Sequence, residues 1–119
     1  MLEKPHKKLD VWLKSINLVQ NIYEITKSFP KAEDYGLTSQ IRRSAVSIPA
    51  NIAEGAARQT KKEFIQFLHV AQGSLSELDT HMEIALKLDY VQKNSIDEIS
   101  VIMNDIDKMT TGLIKSLRK

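Results

Sequence analysis

Residues 40–64 read QIRRSAVSIPANIAEGAARQTKKEF, and the spacing of apolar residues in this stretch decides the fold class. Ile41, Ala45, Ile48 and Ile52 recur at steps of three and four, the period of one helical face. Pro49 sits inside that pattern. It has no amide to donate and its ring presses on the carbonyl of Ala45, so a helix carrying it bends or loosens between Ser44 and Ile48. The Ser44 and Ser47 hydroxyls can take up part of the freed hydrogen bonding. Such a bend either shapes a groove or a subunit contact, or simply curves the helix around its core. Further on, Thr60-Lys-Lys-Glu63 has the form of a capping box, in which the threonine oxygen and the glutamate carboxylate satisfy amides at a helix start. One helix therefore ends, and the next begins, between Ala57 and Thr60.

The same period extends in both directions, and nothing alternates as a strand would. A first helix over about 8–29 carries Leu9, Trp12, Ile16, Val19, Tyr23 and Thr26, and stops at Phe29-Pro30 because the residue before a proline is driven out of the helical region. After the linker KAEDYG, the second helix covers about 35–57 and includes Leu37. The third, about 60–88, builds on Phe64, Leu68, Ala71, Leu75, Leu78, Met82 and Ala85, with Gly73-Ser74 letting another helix approach. Ser95-Ile-Asp-Glu98 repeats the capping-box form and opens a fourth helix, about 95–118, on Ile96, Ile99, Met103, Ile106, Leu113 and Leu117. Four helices with short connections predict one all-α domain over 1–119, an antiparallel up-down-up-down four-helix bundle.

The apolar coverage is wider than one core face. Leu18, Ile22, Ile25 and Phe29 form a second stripe about 120° around the first helix from Ile16, Val19 and Tyr23. Val46, Pro49 and Ala53 do the same on the second. A solvent-facing stripe should be polar, so Leu18, Ile22, Ile25, Val46, Pro49 and Ala53 are expected to meet another subunit. The alternative is a core that wraps widely around a central helix.

With 119 residues and no cysteine, the chain can bury a continuous core without disulfide staples and fits a reducing compartment. It has neither a signal-peptide pattern nor an apolar run near the ~20 residues that cross a bilayer, so a cytoplasmic protein is expected. The formal net charge is only +2, but it is unevenly distributed. Between residues 40 and 62, Arg42, Arg43, Arg58, Lys61 and Lys62 face a single acid, Glu54. Between residues 76 and 107, eight acids face Lys87 and Lys93. The amino-terminal segment and the tail from Lys108 are basic again. Such asymmetry is either a steering field for a polyanion or two differently charged ends of a bundle.

No catalytic or metal-binding constellation is present. His6, His69 and His81 stand beside no nucleophile with a third orienting group. A di-iron bundle needs paired Glu-x-x-His motifs on core helices, and the one match, Glu3 to His6, lies in the basic leader. Glu77 and His81 sit one turn apart but are too few for a metal. Arg42, Arg43, Arg58, Lys61 and Lys62 are thus the candidate nucleic-acid-binding residues. Glu54 and Arg58 also have the favourable i, i+4 order for an ion pair. Lys61 and Lys62 occupy a first helical turn, where the helix dipole disfavours cations and a bound polyanion would relieve them.

Taken together, LDVW (9–12), FP (29–30), GLTSQ (36–40), RRSAVSIP (42–49), NIAEG (51–55), Arg58, KEF (62–64), FL (67–68) and GSLSEL (73–78) resemble the four-helix-bundle proteins encoded in intervening sequences of bacterial 23S ribosomal RNA genes. The resemblance spans nearly the whole chain and is most specific at SIPANIAEG. It implies a left-handed bundle and a homopentamer. The sequence is more distantly similar to the accessory variability protein of diversity-generating retroelements, a basic pentameric barrel that associates with reverse transcriptase and nucleic acid. Arg42, Arg43, Arg58 and Lys62 match basic positions of the family pattern. Where family members often show Ala-Arg-Gly-Ser, this chain has Ala71-Gln-Gly-Ser74, one charge fewer. The expected function is non-enzymatic binding of nucleic acid, structured RNA above all, by an oligomer that uses no cofactor. The alternative is an oligomeric adaptor that docks a protein partner.

Overall fold

The helical period is realised throughout. The computed structural model describes residues 1–119 and contains no strand, only α1 (Asp10–Thr26), α2 (Leu37–Ala56), α3 (Lys61–Lys87) and α4 (Lys93–Leu117), with 3-10 turns at Pro5–Lys8 and Lys31–Glu33. No helix is long and apolar enough to cross a membrane.

Two helix starts contrast. At α3 the Glu63 amide donates to Thr60 Oγ1 at 3.1 Å, while the Thr60 hydroxyl lies 2.9 Å from Glu63 Oε1. The carboxylate therefore holds the hydroxyl proton rather than the Thr60 amide. At α4 the expected Ser95 cap does not form. The helix begins at Lys93 with no side-chain cap, and the Ser95 amide donates to Asn94 Oδ1 at 2.9 Å. The i, i+4 pair between Lys93 and Asp97, 2.6 Å apart, supports that earlier first turn.

The helix α2 runs without interruption through Pro49. Neither serine compensates the proline in the expected way. Ser44 donates to its own Ile41 carbonyl at 3.0 Å, and Ser47 reaches across to Ser74 on α3, Oγ to Oγ 2.7 Å. The Asn51 side-chain amide donates to the Ser47 carbonyl at 2.8 Å and to Ser47 Oγ at 2.9 Å, bridging the turn around the proline.

Cross-helix contacts step down one helix as they step up its neighbour. On α2 and α3, Ser47 meets Ser74 and Gly55 meets Phe67. Lys14 of α1 pairs with Asp105 of α4 at 3.0 Å, and the ring of Phe29, just after α1, lies 5.5 Å from that of Tyr90, just before α4. Gln72 on α3 bonds Thr111 on α4 at 3.0 Å. The start of α1, the end of α2, the start of α3 and the end of α4 accordingly share one end of a molecule 44 Å long.

The core takes the expected faces of α2 and α3, but α1 is rotated. Leu18 and Ile22 are fully buried, whereas Ile16 and Tyr23 are 43% and 41% exposed. The buried face is Val11, Ser15, Leu18, Ile22 and Thr26. Ser15 and Thr26 interrupt its apolar pattern, yet each hydroxyl donates to a carbonyl of its own helix, Trp12 at 2.7 Å and Ile22 at 2.8 Å, so neither opposes burial. The subunit role expected of Leu18, Ile22 and Pro49 is therefore corrected: all three are buried inside the chain's own fold. Ile25 is half-buried against the core, Ala53 is half-buried, and Val46 alone of the six is largely exposed. The close helix approach also moves. A Cβ on Gly73 meets nothing within 4 Å, whereas one on Gly55 would lie 2.7 Å from Phe67 Cβ.

Candidate nucleic-acid interface

The five basic residues singled out along the chain do not form one patch. Arg43 and Arg58 are fifteen positions apart on α2 and its end, which at 1.5 Å per residue separates them by about 22 Å. Arg42 is half-buried and tied to α1. Its Nε donates to Thr26 Oγ1 at 2.9 Å and its guanidinium lies 4.5 Å over the Tyr23 ring. Bracing the last turn of α1, it is a structural arginine more than a free cation. Arg43 is exposed and donates to Gln40 Oε1 at 2.7 Å.

Arg58, Lys61 and Lys62 belong to the other end. Arg58 bonds Glu54 at 2.6 Å, and its guanidinium lies 5.0 Å from the centre of the Phe67 ring. The ion pair and the ring hold it at the junction of α2 and α3. Lys61 and Lys62 are exposed on the first turn of α3 and take part in none of the ion pairs.

Antiparallel packing adds cations that are remote in sequence. Leu2, Lys4, Pro5 and His6 share a 330 Å³ cavity with Ala53, Ala56 and Ala57, so the amino-terminal segment folds against the end of α2. Lys7 bonds the Leu2 carbonyl within that segment. Seven residues beyond Thr111, Arg118 lies about 10 Å further along α4, level with the first turns of α3. Lys4, Lys7, Lys8, Arg58, Lys61, Lys62, Lys115, Arg118 and Lys119 thus gather at one end, against Glu3, Asp10, Glu54 and Glu63. That is more than half of the seventeen lysines and arginines. The basic leader and tail were visible as charge runs; their meeting with Arg58 follows only from the direction of the helices.

The flank of the bundle carries the opposite charge. An open 360 Å³ groove between α3 and α4 is lined by Asp79 and Asp107 among polar side chains. Gln72 bonds Asp107 at 3.3 Å as well as Thr111. Glu77 and His81 form an exposed pair at 3.3 Å, and no group of three or more His, Asp or Glu side chains gathers as metal ligands do.

The model of the 23S rRNA-intervening sequence protein family matches residues 7–112. The chain belongs to this family. A crystal structure of a protein of unknown function from the S23 ribosomal protein family of Bacteroides thetaiotaomicron VPI-5482 is similar over 87% of this chain and 97% of that one, with 25% sequence identity and a TM-score of 0.80. No curated protein matches. Within the 23S rRNA-intervening sequence protein fold, the match leaves most of the basic end's leader and tail, residues 1–6 and 113–119, outside the family pattern. Arg58, Lys61 and Lys62 lie within it.

Proposed function

We propose that this chain is a non-enzymatic, cytoplasmic, homo-oligomeric protein that binds structured RNA through the basic end of its bundle. The observation that carries this reading is the convergence of nine lysines and arginines from four separate segments onto one end. Flexible lysines in such a field contact phosphates without reading bases, and each phosphate neutralised releases counterions. In the proposed assembly, copies side by side multiply a modest charge into an avid one. The surface available for assembly is the outer stripe of α1, where Leu13 and Ile16 stand exposed. The family resemblance implies five copies.

The test is RNA binding across a salt series for the wild type and an Arg58→Ala/Lys61→Ala/Lys62→Ala variant, with light scattering to give the mass. The variant should bind more weakly at every salt concentration and lose about two to three units from the slope of log affinity against log salt. An absence of binding at low salt, or an affinity indifferent to both salt and substitution, overturns the reading and leaves the protein-adaptor alternative.

A further inference from the structure

The opposite end of α2 carries a second set of polar and aromatic groups, remote from the basic end. An open cavity of 460 Å³ is bounded by Tyr23, Asp34, Tyr35, Thr38, Arg42 and Arg43. Its volume lies within the ~300–1,000 Å³ usual for small-molecule sites. Three side chains of this wall, Tyr35, Tyr23 and Arg43, are exposed to a ligand. The Tyr35 side chain is 101% exposed, so it contributes nothing to the core. Tyr23 is fixed by the Arg42 guanidinium 4.5 Å above its ring, and Arg42 is itself tied to Thr26. Arg43 makes only an exposed bond to Gln40, leaving most of its guanidinium donors free.

We propose that this cavity takes an unpaired nucleotide base of a bound RNA. This rests on the nucleic-acid reading above and adds what the basic end alone cannot provide, a preference for unpaired over paired RNA. Aromatic rings and arginine planes stack on bases only where those bases are free of a duplex. Tyr35 supplies a free ring, the Arg42–Tyr23 stack a rigid one, and Arg43 a donor fork for the flanking phosphate. Asp34 repels phosphate from its side of the cavity and accepts from an exocyclic amine. Along α2, about 22 Å separate Arg43 from Arg58, so one folded RNA can place a loop here and a helix at the basic end.

The experiment compares a single-stranded mixed-sequence RNA oligonucleotide with a blunt RNA duplex, both fluorescently labelled, against the intact protein. Tyr35→Ala should weaken binding of the single strand about tenfold and leave the duplex within about twofold. Lys61→Ala/Lys62→Ala should weaken both. Loss of neither RNA, or equal loss of both, on Tyr35→Ala overturns the base-binding site while the basic-end reading stands. Failure of the wild type to bind either RNA overturns both. A change in oligomer mass on Tyr35→Ala, with single-strand binding unaltered, makes the cavity a subunit contact and overturns the proposal.

Discussion

Gly55 of α2 and Phe67 of α3 approach so closely that a Cβ on the glycine would stand 2.7 Å from Phe67 Cβ and 2.9 Å from Phe64 Cδ1. The absent side chain lets the end of α2 lie against the start of α3, which also sets Arg58 over Phe67. Gly55→Ala should destabilise the protein by about 1–3 kcal/mol, because overpacking outweighs the gain of up to about 1 kcal/mol in helix propensity. Gly73→Ala, with open space around it, should instead raise stability by up to about 1 kcal/mol. Urea unfolding of both variants checks the pair, and the same sign in both would refute the packing account.

Leu18 and Ile22 distinguish core from subunit contact. Truncating either to alanine should cost about 2–5 kcal/mol, since both are fully buried. Ile16→Ser and Leu13→Ser, at positions 43% and 50% exposed, should leave unfolding nearly unchanged and reduce the oligomer mass in light scattering. Stable Leu18→Ala protein with reduced mass would restore the original assignment of that stripe.

Asp89 ends α3 in a left-handed conformation, φ 60°, the single non-glycine residue of that kind. The Tyr90 amide bonds the Ala85 carbonyl at 2.9 Å and the Asp89 amide bonds the Leu86 carbonyl at 3.1 Å, the paired bonds of a Schellman ending. Glycine adopts this conformation without the Cβ clash, so Asp89→Gly should stabilise by roughly 1 kcal/mol. A thermal midpoint at or below that of the wild type would contradict this.

Tyr90 gives the fold a dependence on alkaline pH. Its hydroxyl donates to Glu33 at 2.9 Å, and that bond, followed by partial burial and the carboxylate's charge, raises its pKa above the ordinary ~10. A raised folded pKa means that the folded state holds the proton more tightly. The stabilisation is complete below about pH 10 and is lost as pH rises through the folded value. Lys93, raised chiefly by its hydrogen bond to Asp97, acts with the same sign in the same window. Tyr90→Phe should therefore be less stable than the wild type at neutral pH and show a shallower decline above pH ~10 in unfolding midpoints. Parallel curves would remove the Tyr90–Glu33 bond as the cause.

Arg58 separates binding from stability. Its bond to Glu54 is exposed, as is much of its stack on Phe67, so Arg58→Ala should cost less than about 1 kcal/mol of stability. RNA affinity should fall at low salt, with the salt slope reduced by about one unit. Unfolding and binding measured on the same preparation resolve the two effects.

Much of this was legible in the residues. The faces of α2 and α3 follow directly from apolar period, because Ile41, Ala45, Ile48 and Ile52, and Leu68 through Ala85, have no competing stripe of large side chains. On α1 two apolar stripes compete, and the self-satisfied hydroxyl of Ser15 makes the true core face look the more polar. Period alone cannot rank stripes of similar apolarity; only the neighbours packed against them can. The Thr60 cap was readable because it is local. The Ser95 cap was not formed, because an ion pair and Asn94 support an earlier start.

What the sequence alone determined is therefore what depends on near neighbours along the chain: helical period, the end of α1 before Pro30, the start of α3, the family motif from Ser47 to Gly55 and the presence of separate charge runs. The tertiary structure decided what depends on directions in space. It turned Leu18 and Ile22 inward, tied Arg42 to Tyr23 and Thr26 of α1, and brought leader, α2–α3 junction and tail to one end. The physical reason is that helix propensity and capping are satisfied within a turn or two, whereas burial and electrostatic fields are summed over all the chain segments that packing brings together.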